Sequence, residues 1–240
     1  MKFCSGLWLF ALLLALAGPA AAEIPEKDRA EIEQLRSVHG RPAEDVEPLL
    51  AQVSEAGARG LPQGLLLNKV KEGLAKGIET PRIGEALSDA TRRLELSQTM
   101  LHELAPTGPR RDRHPQRAVQ VLAEAFGRNI TPDDVRELHR RAADGQRPLT
   151  AEELAYGVKG LALMKSAGVS GMDIVAEGIR QGYRPSDFIH LGREVRMHRE
   201  ALLANPERLQ ELQQEIGQGR RPNDLFHAHP GERRPDRRRR

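Results

Sequence analysis

Glu177-Gly178-Ile179-Arg180-Gln181-Gly182-Tyr183-Arg184-Pro185-Ser186-Asp187-Phe188 spells the end of one helix and the start of the next. Gly182 can take the left-handed conformation that closes a helix, and Pro185 fits the first turn of its successor. The same punctuation recurs at Gly40/Pro42, Gly60/Pro62, Gly77/Pro81, Gly127/Pro132, Gly145/Pro148 and Gly219/Pro222. Each pair predicts a tight helix-to-helix corner.

Between the corners the apolar residues fall at helical intervals, which marks one buried face per segment. The longest stripe is Ile83, Leu87, Ala90, Leu94, Leu101 and Leu104, interrupted by Ser97. Shorter ones are Val46, Leu49, Val53 and Ala56; Val135, Leu138 and Ala142; Leu154, Val158 and Leu161; Phe188, Leu191, Val195 and Leu202; and Leu209, Leu212 and Ile216. Helix starts are written at Thr131-Pro132-Asp133-Asp134 and at the capping box Thr150-Ala151-Glu152-Glu153. No stretch alternates as a strand would. The expected fold is all-α, an array of short antiparallel helices.

Two further segments echo the opening one. Glu72-Gly73-Leu74-Ala75-Lys76-Gly77-Ile78 repeats it closely and Glu124-Ala125-Phe126-Gly127-Arg128-Asn129-Ile130 more faintly, with the three glutamates 52 and 53 residues apart. Gln218-Gly219-Arg220-Arg221-Pro222-Asn223-Asp224-Leu225 likewise echoes residues 181–188. The pattern predicts degenerate helical-hairpin repeats in a solenoid-like stack. Ala105 to Pro115, rich in Pro and Arg, predicts a linker (105–115) between an N-terminal helical region (23–104) and a C-terminal one (116–226).

The ends carry other information. Lys2, the apolar run Gly6 to Ala17, the helix-breaking Gly18-Pro19 and the small residues Ala20-Ala21-Ala22 compose a secretory signal peptide over residues 1–22. Twelve apolar residues are fewer than the roughly 20 that span a bilayer. A periplasmic or secreted protein is expected, and because Cys4 is the only cysteine, cleavage leaves no thiol. The remaining aromatics are Phe126, Tyr156, Tyr183, Phe188 and Phe226, too few for a stacking platform for sugars or single-stranded nucleic acid. The net charge of +3 resides in the end: His227 to Arg240 holds six Arg against Glu232 and Asp236. This segment (227–240) reads as a disordered tail, and Arg233, Arg234, Arg237, Arg238, Arg239 and Arg240 are its candidate contacts to a polyanion or anionic surface.

Gly60-Leu61-Pro62, then Asn68-Lys69-Val70-Lys71-Glu72-Gly73-Leu74-Ala75-Lys76-Gly77 and Pro81-Arg82-Ile83, resembles a segment of exported bacterial helical proteins. The resemblance spans roughly residues 50 to 104 and implies helical fold and export, without an activity. Ser54-Glu55-Ala56-Gly57-Ala58-Arg59-Gly60-Leu61-Pro62-Gln63 is similar to a stretch of the lytic transglycosylases. In that family a catalytic Glu lies nine residues before the Ser; here Asp45 stands there, followed by Val46, and Pro62 replaces a Met. A plain helix end over Gly57 to Pro62 is the expectation.

Other candidate chemistry is thin. His190, Glu194 and His198 recur every four residues, so neighbours could chelate a metal, but the two histidines lie about 12 Å apart along a helix axis. Solvated side chains are expected there, and His227-Ala228-His229 is a weak pair on the tail. Gly168-Val169-Ser170-Gly171 lacks the Lys of a nucleotide loop and reads as a corner, and Glu72, Glu124 and Glu177 as exposed or capping residues. The expected function is an exported non-catalytic binding or scaffold protein for a protein partner, with no cofactor. The alternatives are an envelope-polymer hydrolase and a polyanion binder acting through the tail.

Overall fold

A computed structural model describes residues 23–105, 115–143 and 148–226. The signal segment, most of the Pro/Arg-rich stretch, Gly145 and the Arg-rich tail lie outside them. The described residues form twelve helices and no strand: α1 (Glu26–Val38), α2 (Ala43–Ala58), α3 (Gln63–Ala75), α4 (Thr80–Leu104), α5 (Pro115–Phe126), α6 (Pro132–Ala142), α7 (Ala151–Ser166), α8 (Met172–Arg180), α9 (Pro185–Met197), α10 (Arg199–Ala204), α11 (Glu207–Gly217) and α12 (Pro222–Leu225). None is long and apolar enough to cross a membrane. The chain divides into two compact units, up to Ser88 and from Asp89 onward, so the boundary falls within α4.

One corner design joins most of these helices. At the end of α8 the Tyr183 amide donates to the Gly178 carbonyl (2.9 Å) and the Gly182 amide to that of Ile179 (3.0 Å), with Gly182 at φ 66°. The end of α3 repeats this with Ile78 on Gly73 (2.9 Å) and Gly77 on Leu74 (3.0 Å). These pairs satisfy carbonyls that a helix end otherwise leaves open. Seven corners with a left-handed residue occur among the described residues, the six glycine ones with this pair of bonds, and in each the left-handed residue is followed six positions later by a buried apolar side chain. The pairs are Gly40 with Val46, Gly60 with Leu66, Gly77 with Ile83, Asn129 with Val135, Gly168 with Ile174, Gly182 with Phe188, and Gly219 with Leu225. At the corner before Pro132 the left-handed residue is therefore Asn129 (φ 61°), not Gly127, because Asn tolerates this region and stands at the required distance from Val135.

The echo around Glu72, Glu124 and Glu177 is explained by the same corner. A Cβ at Gly73 would lie 2.6 Å from Ile83 Cγ1, and one at Gly178 3.2 Å from Phe188 Cε1. A small residue there lets the first anchor of the next helix come down on the preceding one. Ala125, ahead of Val135, occupies the third copy. The 52- and 53-residue intervals do not follow the packing, since Glu72 lies in α3, Glu124 in α5 and Glu177 in α8.

Beyond immediate neighbours, packing follows next-but-one helices when the short α10 is counted with α9. In the first unit α1 lies on α3, and α2 meets the start of α4, where Leu49 faces Gly84. Lys71 of α3 reaches Asp28 (2.6 Å) and Glu31 of α1. In the second unit α5, α7, α9 and α12 form one row and α6, α8 and α11 another, with α7 touching both. The first row's helices begin 36, 34 and 37 residues apart; α1 and α3, and α2 and α4, each begin 37 apart. The α6–α8–α11 row is tied by Arg141 to Asp173, Arg180 Nη1 to the Arg141 carbonyl (2.7 Å) and Gln181 Nε2 to the Gly217 carbonyl (3.2 Å).

Most of the predicted stripe residues form the core: Val46, Leu49, Val53 and Ala56 are buried, as are Val135, Leu138 and Ala142, while Leu104 and Leu209 are only partly buried. Ser97 is buried too, its hydroxyl donating to the Arg93 carbonyl four residues back (2.7 Å), so the polar gap in the α4 stripe is satisfied locally. Both written caps are present: the Asp134 amide donates to Thr131 Oγ1 (3.1 Å) and that of Glu153 to Thr150 Oγ1 (3.1 Å).

Candidate functional site

The first turns of α2 and α4 stand side by side because Leu49 of α2 packs against Gly84 of α4. Between them runs a groove of about 490 Å³. Leu49, Pro48, Pro81 and Gly84 supply its apolar part. Glu44, Asp45 and Glu79 bring three carboxylates, all exposed. Farther along, Gln52 Nε2 donates to Ser88 Oγ (2.9 Å), and that hydroxyl donates to the Gly84 carbonyl (3.0 Å). At the head Arg41 Nη1 donates to Thr80 Oγ1 (3.0 Å), fixing α4's first residue to the corner before α2.

Pro48, inside α2, lacks the N–H that would bond the Glu44 carbonyl. The groove therefore offers mainly acceptors above an apolar floor. The acids also complement the positive ends of the two helices, which offsets part of their charge. What remains suits a donor-rich, cationic ligand with some apolar surface.

A second, smaller hollow of about 430 Å³ lies between α8 and α11, lined by Glu177, Gln210, Gln213, Gln214 and Gly217. Glu177 is already engaged there. Burial pushes its carboxyl up, but hydrogen bonds from Gln181 and Arg180 outweigh this and hold it below the ordinary range. The other two repeated glutamates are also paired. Glu72 is held at about 2 by hydrogen bonds from Lys76 and Lys69, and Glu124 meets Lys159 at 3.0 Å.

No protein-family model, curated protein or solved structure matches this chain.

The other candidates from the sequence are placed as follows. The stretch similar to lytic transglycosylases ends α2 in a corner, with the Leu61 amide on the Ala56 carbonyl (3.1 Å) and Gly60 at φ 76°. Asp45 lines the groove and stands exposed to solvent, not in an enclosed pocket. Gly168 to Gly171 forms the expected corner. His190 and His198 both approach Glu194. Arg233, Arg234, Arg237, Arg238, Arg239 and Arg240 lie outside the described residues, as do His227 and His229.

Glu44, Glu79, Gln52 and Ser88 carry no mark of a site in the sequence alone. The signal that points to them is the 37-residue interval between the starts of α2 and α4, which brings their first turns together.

Proposed function

We propose that this chain is a non-catalytic helical-repeat binding protein, working outside the cytoplasm, which holds a basic, partly apolar peptide segment of a protein partner in the α2/α4 groove. The observation that carries this reading is the composition of that groove: three exposed carboxylates and the Glu44 carbonyl over Leu49, Pro48 and Pro81. Repeated helical hairpins are suited to such extended surfaces, because neighbouring helix ends form continuous grooves. The signal-like residues 1–22 and the resemblance to exported helical proteins support the location.

Selection from a library of displayed random peptides tests the proposal. Enriched sequences should place Lys or Arg beside Leu, Ile or Val, and should lose most of their affinity for a Glu44→Lys/Glu79→Lys variant while a Glu200→Lys control retains it. Enrichment indifferent to the charge reversal would sink the reading.

Asp45 on the groove wall favours one second reading, a hydrolase of envelope polymers. Release of soluble fragments from peptidoglycan by the parent chain, abolished by Asp45→Asn, would establish that reading instead.

A further inference from the structure

The outer side of α9 carries a pattern that neither the groove nor the repeat explains. The backbone stays close to helical from α9 into α10: the His198 amide donates to the Glu194 carbonyl (2.9 Å), and the Leu202 amide donates to the His198 carbonyl (3.1 Å). One stripe of this surface, Phe188, Leu191, Val195 and Leu202, is buried. On the opposite side Arg193, Arg196, Met197, Glu200, Leu203 and Ala204 fall at the helical spacing i, i+3, i+4, i+7, i+10 and i+11, and all six are exposed.

Two properties set that stripe apart from an ordinary solvated face. Met197 is 67% and Leu203 55% exposed, the most exposed large apolar side chains of the second unit among the described residues. Arg193 and Arg196 have no acidic partner among the described residues, and Arg199 beside them meets Glu200 at 3.9 Å. By contrast Arg136, Arg140 and Arg220, also exposed, are each held by a carboxylate, from Asp133, Glu137 and Glu215. A single exposed apolar residue needs no explanation. Two of them interleaved with unpaired guanidinium groups on one helical face do.

We propose that the α9–α10 face docks the protein on an anionic lipid surface, with the helix lying flat in the headgroup layer. Arg193, Arg196 and Arg199 reach lipid phosphates from long flexible stems, while Met197 and Leu203 enter the boundary of the acyl chains. The unpaired cations require an anionic partner, and the exposed apolar groups require one with apolar depth behind its charge. A lipid surface offers both. It also demands no shape fit, which suits a convex helix face; the groove and the α8/α11 hollow are lined by other residues. Glu200, the one acid on the stripe, opposes docking. Nothing in this proposal depends on what the α2/α4 groove holds.

The test is sedimentation of the full chain with vesicles of phosphatidylcholine alone, and of phosphatidylcholine and phosphatidylglycerol in equal parts. Every arm keeps residues 227–240, so their arginines contribute equally throughout. Binding is expected on the mixed vesicles and not on phosphatidylcholine alone. Arg193→Gln/Arg196→Gln should weaken it by about 10–30-fold, and Met197→Ser/Leu203→Ser by about 10-fold. Glu200→Lys should tighten it by about 10-fold. All five positions are exposed, and far-UV circular dichroism checks that each variant keeps its helix; Glu200→Lys, a gain of binding, carries the test even if a double variant loses structure. An arginine variant that binds within twofold of the parent would overturn the proposal by assigning the attraction to the tail. A Met197→Ser/Leu203→Ser chain that binds within twofold would overturn it in favour of a purely ionic contact, as to an acidic protein. Failure of the parent to bind the mixed vesicles would overturn it as well.

Discussion

Replacing Gly160 by alanine should destabilise the second unit, although the same change in most helices is stabilising. Gly160 lies in α7, and a Cβ built on it would be 3.0 Å from the Phe188 carbonyl oxygen and 3.3 Å from Phe188 Cβ. The oxygen belongs to the backbone of α9 and cannot rotate away. The approach is tight from the other side too, since a Cβ at Gly192 of α9 would be 2.8 Å from Leu163 Cβ. Helix propensity favours Ala over Gly by about 0.5–1 kcal/mol, while forcing extra volume into a packed interface costs about 1–3 kcal/mol. The net expectation is a loss of about 1–2 kcal/mol. A Cβ on Gly64 of α3 would meet nothing within 4 Å, so Gly64→Ala should be neutral or stabilising by up to about 1 kcal/mol. Urea unfolding gives the two free energies, and hydrogen exchange on α7 and α9 amides should localise the loss. A Gly160→Ala chain at least as stable as the parent would show that these helices are not in contact through their glycines.

Tyr183→Phe removes the buried hydroxyl that donates to the Arg220 carbonyl, and should cost about 0.5–1.5 kcal/mol in the same urea assay; an unchanged midpoint would mean that water replaces the bond. Glu137, held at about 2 by hydrogen bonds from Arg140 and Arg141, and Glu72, also at about 2, have folded pKa values below the ordinary 4.5. Their contribution is therefore complete above 4.5 and disappears as the pH falls towards about 2, so the melting temperature should drop across that window and drop less in Glu137→Gln. A flat profile would refute the pairing. Retention on heparin should be greater for the full chain than for one ending at Phe226 and should collapse at high salt, if Arg233, Arg234 and Arg237 to Arg240 act by field; equal retention would remove the tail from any binding role.

Much of the architecture is legible in the sequence because helix ends and apolar stripes are local signals. Gly182 and Pro185, or Leu154, Val158 and Leu161, need no knowledge of what lies across from them. The burial of α7 on most of its circumference is different. It depends on Ala155, Gly157, Gly160 and Ala162, small residues with little apolar signal, whose role is to let another backbone approach. The groove is hidden for a related reason. Glu44 and Glu79 are ordinary acids near helix starts, and only the next-but-one packing makes them neighbours. Likewise, the packing boundary between Ser88 and Asp89 leaves no Gly or Pro mark, because α4 runs through it unbroken.

The recurring corner also bears on how the chain assembles. Two helices make their first buried contact with a residue ten positions earlier, Phe188 with Gly178 and Ile83 with Gly73. Contacts so close in sequence cost little loop-closure entropy, and chains dominated by them fold quickly. Any of the seven corners is equipped to start the process. Loss of one corner should slow the growth of structure only at that point, leaving the others able to nucleate on their own.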